Sequence, residues 1–321
     1  MLSQNASSNS LFDWVLQDKG GRRTTAFLKK MEELVPWKEI SDEIEGAVYD
    51  GHMGRPGFPV HVLLKALFLE LWYGLSDPEL EEQVLDRVSF QRFLDVRNRR
   101  DIPDETTVCR FRGKLVELNA EKELFEFVQR MIDERGLRLN RGTIVDATIV
   151  DAPRGRKRED KSDTKDPDAT FTKKNGKSYH GYKVHVATDT DGNFVNDMIV
   201  TTANVQDREA FDDLTKNEKN AVFADKAYVL KKKKQEFRAR SIYWGVLDKA
   251  ERNRPLTKNQ EELNRRKSSV RCHIEHVFAW TKQLMKARTV RFRGLRKNNF
   301  HWTLVIVAYN LRRMVSVISP S

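Results

Sequence analysis

The feature that most constrains this chain is a change of hydrophobic period at Gly142. Before it, from Thr24 to about Arg138, apolar residues recur three and four apart, as in Val62, Ala66, Leu69 and Tyr73 or Leu124, Val128, Met131 and Ile132, the spacing of amphipathic helices. After it come short β-branched runs at Thr143–Val150, Tyr182–Thr188, Phe194–Thr201 and Ala221–Ala224, which read as strands. Helical spacing returns over Arg208–Leu214, Tyr228–Arg240 and Glu261–Met285. The expectation is an α+β or α/β chain: a flexible Ser/Asn-rich start at 1–23, an all-helical domain at 24–140, then a mixed-sheet domain with flanking helices at 141–321. Helix starts are marked by Gly54-Arg55-Pro56-Gly57, Ser76-Asp77-Pro78 and Pro103-Asp104-Glu105, with Asp77 and Asp104 as expected N-caps. From Arg154 to Asp168, 11 of 15 residues are charged. That composition cannot bury a core and predicts an exposed loop over 154–178.

Charge narrows the partners. Lys and Arg number 58 against 47 Asp and Glu, a formal net charge of +11, so an anionic partner is expected and nucleic acid is the first candidate. The two cysteines, Cys109 and Cys272, are far apart with no C-x-x-C pair, which excludes a disulfide scaffold and points to a reducing compartment. The most apolar runs, Val62–Leu75 and Trp302–Tyr309, fall short of the ~20 residues needed to span a bilayer. No membrane association is expected, and Met1–Ser10 lacks the basic-then-apolar order of a signal peptide. The expected location is the cytoplasm, on the nucleoid when the protein is bound to DNA.

Three acids stand out by position. Asp146 lies within Thr143–Val150, where alternation puts Ile144, Asp146, Thr148 and Val150 on one strand face, and a carboxylate there needs a basic partner or a metal ion. Asp225 follows the run Ala-Val-Phe-Ala and precedes helical spacing. It therefore sits at the carboxyl end of a strand, where α/β folds place their sites. Glu275 is the only acid between Asn264 and Arg313, a stretch with 13 Lys and Arg residues. In a helix it shares one stripe with Arg271 and Lys282, flanked by Val270, Ile274, Val277 and Phe278. Each acid also has an ordinary reading: a salt bridge for Asp146, a helix N-cap for Asp225, an ion pair with Arg271 for Glu275. Converging from two strands and a helix, they would form a hard oxygen site suited to Mg²⁺ or Mn²⁺. Two such ions could run an in-line displacement at phosphorus.

A resemblance selects these three from the other acids. The ordered motifs are G-R-P-G-F-P (Gly54–Pro59), L-W-Y-G-L-S-D-P-E-L-E-E (Leu71–Glu82), I-P-D-E-T-T-V-C-R-F-R (Ile102–Arg112) and V-D-A-T-I-V-D-A-P (Val145–Pro153). They continue with Y-H-G-Y-K-V-H-V-A-T-D (Tyr179–Asp189), T-T-A-N-V-Q-D (Thr201–Asp207), A-D-K-A-Y (Ala224–Tyr228) and V-R-F-R-G-L-R-K-N (Val290–Asn298). On these, the chain resembles a bacterial DDE transposase of the insertion-sequence-five group from about Gly54 to Arg313. The resemblance implies an RNase H-like catalytic core, with Asp146, Asp225 and Glu275 as catalytic, metal-binding acids and Arg271 and Lys282 beside them. It also implies Mg²⁺ (Mn²⁺ as substitute), two ions per site, and double-stranded DNA partners: the element's terminal inverted repeats and a target. A homodimer holding two ends is expected as well. Ser268 stands where the family's helix often carries Tyr. Asp151, five residues after Asp146, is the rival for the first acid.

Basic and aromatic residues complete the expectations. Lys231, Lys232 and Arg238 could track a phosphate backbone beside Asp225, or form a solvated helix face. Arg291, Arg293, Arg296 and Lys297, interleaved with Phe292, suit phosphate pairing and base stacking. Arg110, Arg112 and Lys114 lie on a capped helix that could enter a major groove. Cys272, His273 and His276 offer no second ligand pair at zinc spacing. Trp72, Tyr73, Phe278 and Trp302 read as core, with Trp280 close to the proposed active helix. Two further readings stay open: a catalytically silent DNA-binding regulator descended from a transposase, and a structure-selective nuclease with the same core.

Overall fold

Two helices buried on nearly every side organise the molecule, and they lie at opposite ends of the sequence. In the computed structural model, residues 23–48, 57–155, 165–229, 231–251 and 253–319 are described. The expected flexible start, Gly54–Pro56 of the first motif, and 156–164 of the charged loop lie outside the described residues. The helical half comprises α1 (Arg23–Leu34), α2 (Trp37–Val48), α3 (Val60–Tyr73), α4 (Asp77–Asp86), α5 (Val88–Leu94), α6 (Glu105–Leu118) and α7 (Glu121–Glu134). Within α3, every residue from Val62 to Trp72 is buried, as expected of a helix apolar all round. Its Lys65 is neutralised by Glu32 at 2.8 Å. Trp72 packs among Trp37, Phe68 and Phe93, and its indole N–H donates to the Ala308 carbonyl at 2.9 Å.

Ala308 belongs to α12 (Leu295–Ile318), the second such helix. It packs on α1, α3 and α7 and on one face of the sheet, so the last helix serves both halves. One large apolar core therefore runs from Leu28 and Trp37 through α12 to Ile144, Val150 and Val184.

The sheet is built from β1 (Thr143–Asp151), β2 (Thr170–Lys174), β3 (Lys177–Asp189), β4 (Val195–Thr202), β5 (Ala221–Ala224) and β6 (Tyr243–Trp244). β1 is flanked by antiparallel β3 and parallel β5, and β6 continues parallel beyond β5. The outer edge of β3 is shared, β2 taking Lys177–Gly181 and β4 taking Tyr182–Thr188. This mixed sheet with helices on both faces agrees with an RNase H-like domain. The second face is covered by α8 (Phe211–Thr215) and α9 (Lys231–Ala239) over a smaller core of Val145, Phe211, Tyr228, Phe237 and Trp244. At the β4 edge, the Asn310 amide of α12 both accepts from Val195 N–H and donates to its carbonyl, each at 2.9 Å, pinning α12 to the sheet.

Several local expectations change. Ser76, not Asp77, caps α4, in a reciprocal capping box with Glu79; Asp104 caps α6 as expected. β2 forms inside the segment expected to be all loop, because its hairpin with β3 closes at Asn175-Gly176, where both residues adopt positive φ. The single helix expected over Glu261–Met285 is divided into α10 (Lys258–Arg271), α11 (His273–Ala279) and a widened π-helical turn at Trp280–Leu284. Cys272 between α10 and α11 keeps helical dihedrals.

Arg112, expected at the DNA surface, is buried. It bridges Glu70 at 2.5 Å and Asp77 at 2.6 Å, and Glu70 also receives Arg291. The reason is helical phase: Arg112 follows Phe111 on the core side of α6, and without it Glu70 would lie buried beside Arg291 alone. Arg112→Ala should therefore lower unfolding free energy by about 3 kcal/mol or more. Denaturant melts check this, and a loss under about 1 kcal/mol would contradict the network's role.

Candidate active site

The parallel pairing of β1 with β5 builds the site. Its last register pair is Val145 with Ala224, so the next residues, Asp146 and Asp225, stand side by side where β5 ends and β1 runs on. Asp146 comes from the middle of β1. Asp225 is at the end of β5, where its side chain accepts the Lys226 N–H at 2.6 Å and caps the short 3₁₀ turn Lys226–Tyr228. The strand-end and N-cap readings of Asp225 are thus both met by one geometry.

Burial pushes the Asp146 carboxyl above its ordinary pKa, and the neighbouring Asp225 charge pushes the same way. The Ala147 N–H and the Arg271 guanidinium oppose them. Ala147 N–H donates to Oδ1 and Arg271 Nη1 to Oδ2, each at 2.8 Å. Arg271, the last residue of α10, reaches Glu275 through Nη2 at 3.4 Å. Its expected ion pair with Glu275 is therefore present, but the shorter contact is to Asp146 across the sheet. The Glu275 side chain is 64% exposed against 23% for Asp146, so Glu275 retains freedom to swing.

Lys282 lies farther along β1, where its Nζ donates to the Ile149 carbonyl at 2.5 Å. Burial lowers its pKa to about 8, opposed by the nearby Asp151 charge. The two candidates for the first acid are thereby separated: Asp146 stands with Asp225 and Arg271, whereas Asp151 stands with Lys282. Sequence alone does not single out Tyr228, although it ends the A-D-K-A-Y motif. Its hydroxyl is buried with no hydrogen-bond partner among the described residues, and the charges of Asp146, Asp207 and Asp225 all act on it. Ser268 is on α10, three residues before Arg271.

The imidazoles flanking Glu275 diverge. His273 faces the Thr190 carbonyl and His276 accepts the Trp280 indole N–H at 2.9 Å. Trp280 is stacked by Arg312 at 4.5 Å, and Trp72 and Trp302 are buried in the core. Of the cations expected on DNA, Arg296 pairs with Glu121 at 2.6 Å and Arg293 donates to the Lys165 carbonyl at 2.5 Å. Arg291 is held by Glu70. Arg110, Lys232, Arg238 and Lys297 are exposed and Lys114 is half-buried, while the side chain of Lys231 lies outside the described residues.

Asp146, Asp225 and Glu275 offer only carboxylate oxygens, the donor set of a hard divalent cation. The burial of Asp146, which Arg271 and the Ala147 N–H offset only in part, also favours a cation beside it. Among the described residues no three His, Cys, Asp or Glu side chains stand close enough to hold an ion, because Arg271 lies between Asp146 and Glu275. In chemistry and charge, the residues present fit such an ion.

Residues 138–311 match the family model described as Transposase DDE domain, and residues 14–114 match that described as Transposase domain (DUF772). No solved structure matches the chain. The first match covers more than half of the sequence, and the chain belongs to the transposase DDE domain family. It is an insertion-sequence DDE transposase, from a family of DNA transposition enzymes that use divalent metal ions. No helix among the described residues is long and apolar enough to cross a membrane.

Because Lys282 has a folded pKa near 8 against an ordinary 10.5, the unfolded chain binds more protons between those values. Stability should rise with pH over that window and lose this contribution below about pH 8. Unfolding free energies of the wild type minus those of Lys282→Gln, measured from pH 7 to 11, should show that slope; a flat difference would contradict it.

Proposed function

We propose that this chain binds the terminal inverted repeats of its own insertion sequence, cuts DNA at the element's ends and joins the freed ends to target DNA. The observation that carries this reading is the β1–β5 register, which sets Asp146 and Asp225 side by side with Arg271 and Glu275 arriving from α10 and α11. Asp146, Asp225 and Glu275 would hold Mg²⁺, or Mn²⁺ in its place, as two ions. Bound there, the ions supply Lewis-acid activation of the attacking oxygen and charge on the leaving oxygen.

The chain's own residues prepare and hold the substrate. Arg271 neutralises Asp146 before metal arrives and is then placed to receive a scissile phosphate or to steady Glu275. Lys282, anchored on the Ile149 carbonyl, adds positive charge three residues farther along β1 than Asp146. Hydrolysis adds water across a phosphodiester and leaves a 3′-hydroxyl and a 5′-phosphate. In the joining step that 3′-hydroxyl attacks a target phosphodiester and displaces the target's own 3′-oxygen. Two ends must be held together for coupled joining, which favours a homodimer on DNA. The bound protein would then lie on the nucleoid.

Cleavage and strand transfer on a plasmid carrying the DNA that flanks this gene, compared in Mg²⁺, Mn²⁺ and EDTA, tests the reading. Metal-dependent 3′-ends at the element boundary, joined to target DNA, are expected. Asp225→Asn should reduce both by at least ~10³-fold while end binding stays within a few fold, since only the metal's charge balance changes. End-specific binding with no cutting in either metal would make the protein a regulator. Nicking without end specificity would make it a nuclease.

A further inference from the structure

Three of the cations expected to grip DNA are consumed within the fold: Arg112, Arg291 and Arg296 each neutralise a carboxylate of the helical half. A protein of net charge +11 must carry unpaired positive charge elsewhere. The described residues concentrate it in a groove of about 1210 Å³ in the helical half, between the turn after α5 and the exposed side of α6. One wall carries Arg97, Arg99 and Arg100, the other Arg110 and Lys114. None of the five makes an ion pair among the described residues. The two arginines of the wall turn that form its single 3₁₀ turn, Arg99 and Arg100, are held by the Asn98–Asp101 capping box.

Three acids, Asp95, Asp101 and Asp104, also line the groove, so its five cations leave it net positive by two, and two of these acids are turned to backbone and amide donors. Asp101 accepts the Asn98 N–H at 3.3 Å and its side-chain amide at 3.1 Å, and Asp104 accepts the Thr107 N–H at 2.6 Å. Only Asp95 remains, beyond the end of α5. The floor is apolar, formed by Val62, Leu63, Ile102 and Phe111. Arg110 and Lys114 are one turn apart on the same side of α6, about 6 Å along its axis.

We propose that this groove is the seat of duplex DNA, its two basic walls gripping the phosphates of a backbone that crosses the apolar floor. The inference rests on the transposase reading and deepens it: the helical half would bind through the turn at 97–100 as well as through α6. Positive charge on two facing walls over an apolar floor matches a sugar–phosphate strand, with its charged flanks and uncharged sugars. The fixed turn also presents its arginines with little ordering cost on binding. Phosphate contacts of this kind position a protein on DNA independently of sequence.

The test is equilibrium binding of the full-length protein to a duplex of the element's end and to an unrelated duplex of equal length, over a salt series. Arg97→Gln/Arg99→Gln/Arg100→Gln should weaken binding to both duplexes by at least ~10-fold and flatten the log–log salt slope by roughly 3, at about 0.9 per lost phosphate contact. Arg110→Gln/Lys114→Gln keeps the fold safe, because Arg110 is exposed and Lys114 half-buried, and neither makes an ion pair among the described residues. It should weaken binding to both duplexes as well. Lys122→Gln, on α7 and paired with Glu126, should change neither affinity nor slope.

Wild-type binding that is unchanged by both groove substitutions would overturn the groove while leaving the transposase reading standing. Loss of binding to the element's end alone would also overturn it as a backbone seat. A wild type that binds neither duplex in any salt would overturn both.

Discussion

Two carboxylates set side by side on neighbouring parallel strands repel, and the arrangement around them offsets that repulsion. The β1–β5 register offers no alternative: once Val145 faces Ala224, Asp146 and Asp225 must emerge together. Burial raises the cost for Asp146 in particular. The chain responds with a single guanidinium, Arg271, that binds Asp146 and touches Glu275. Arg271 is therefore both the stabilising ion of the metal-free fold and the group that a bound cation would displace. Coupling of this kind keeps a charged pocket folded before its substrate and metal arrive.

The same logic recurs in the helical half. α3 is too apolar to lie at a surface, yet carries Lys65 and Glu70, and each is met by an opposite charge from another helix or from the segment before α12. The partners of Glu70 come from residues 42 and 221 positions later in the chain. This long-range pairing, with the Trp72–Ala308 and Asn310–Val195 bonds, ties the amino-terminal helices, the carboxyl-terminal helix and the sheet into one core. Motion of the helical half relative to the acids would have to break these buried bonds, so the two halves are held in a fixed relation.

Charge accordingly has two separate uses in this molecule. Arginines of the carboxyl-terminal tail are spent internally on Glu70 and Glu121, whereas those of the turn at 97–100 make no ion pair among the described residues. A count of basic residues along the sequence does not distinguish the two uses. Arg112 and Arg110 illustrate the point: two residues apart on α6, one is locked in the core and the other faces solvent.

Much of the architecture is legible in the residues themselves. The change of period at Gly142, the β-branched runs of β1, β4 and β5, and the family motifs lead directly to the fold class and to Asp146, Asp225 and Glu275, because local periodicity and motif order survive folding unchanged. Short elements such as β2 and β6 are not legible: a strand of two to five residues carries too little pattern of its own and exists only because a neighbour supplies its hydrogen bonds. Nor is the π-helical turn after Ala279, or the capture of Arg112 and Arg291 by Glu70. The sequence by itself determined which residues could serve as acids and cations and on what elements they lie. Only the tertiary structure decided which of them meet, since the energy of a charge depends on burial and on partners that are remote along the chain.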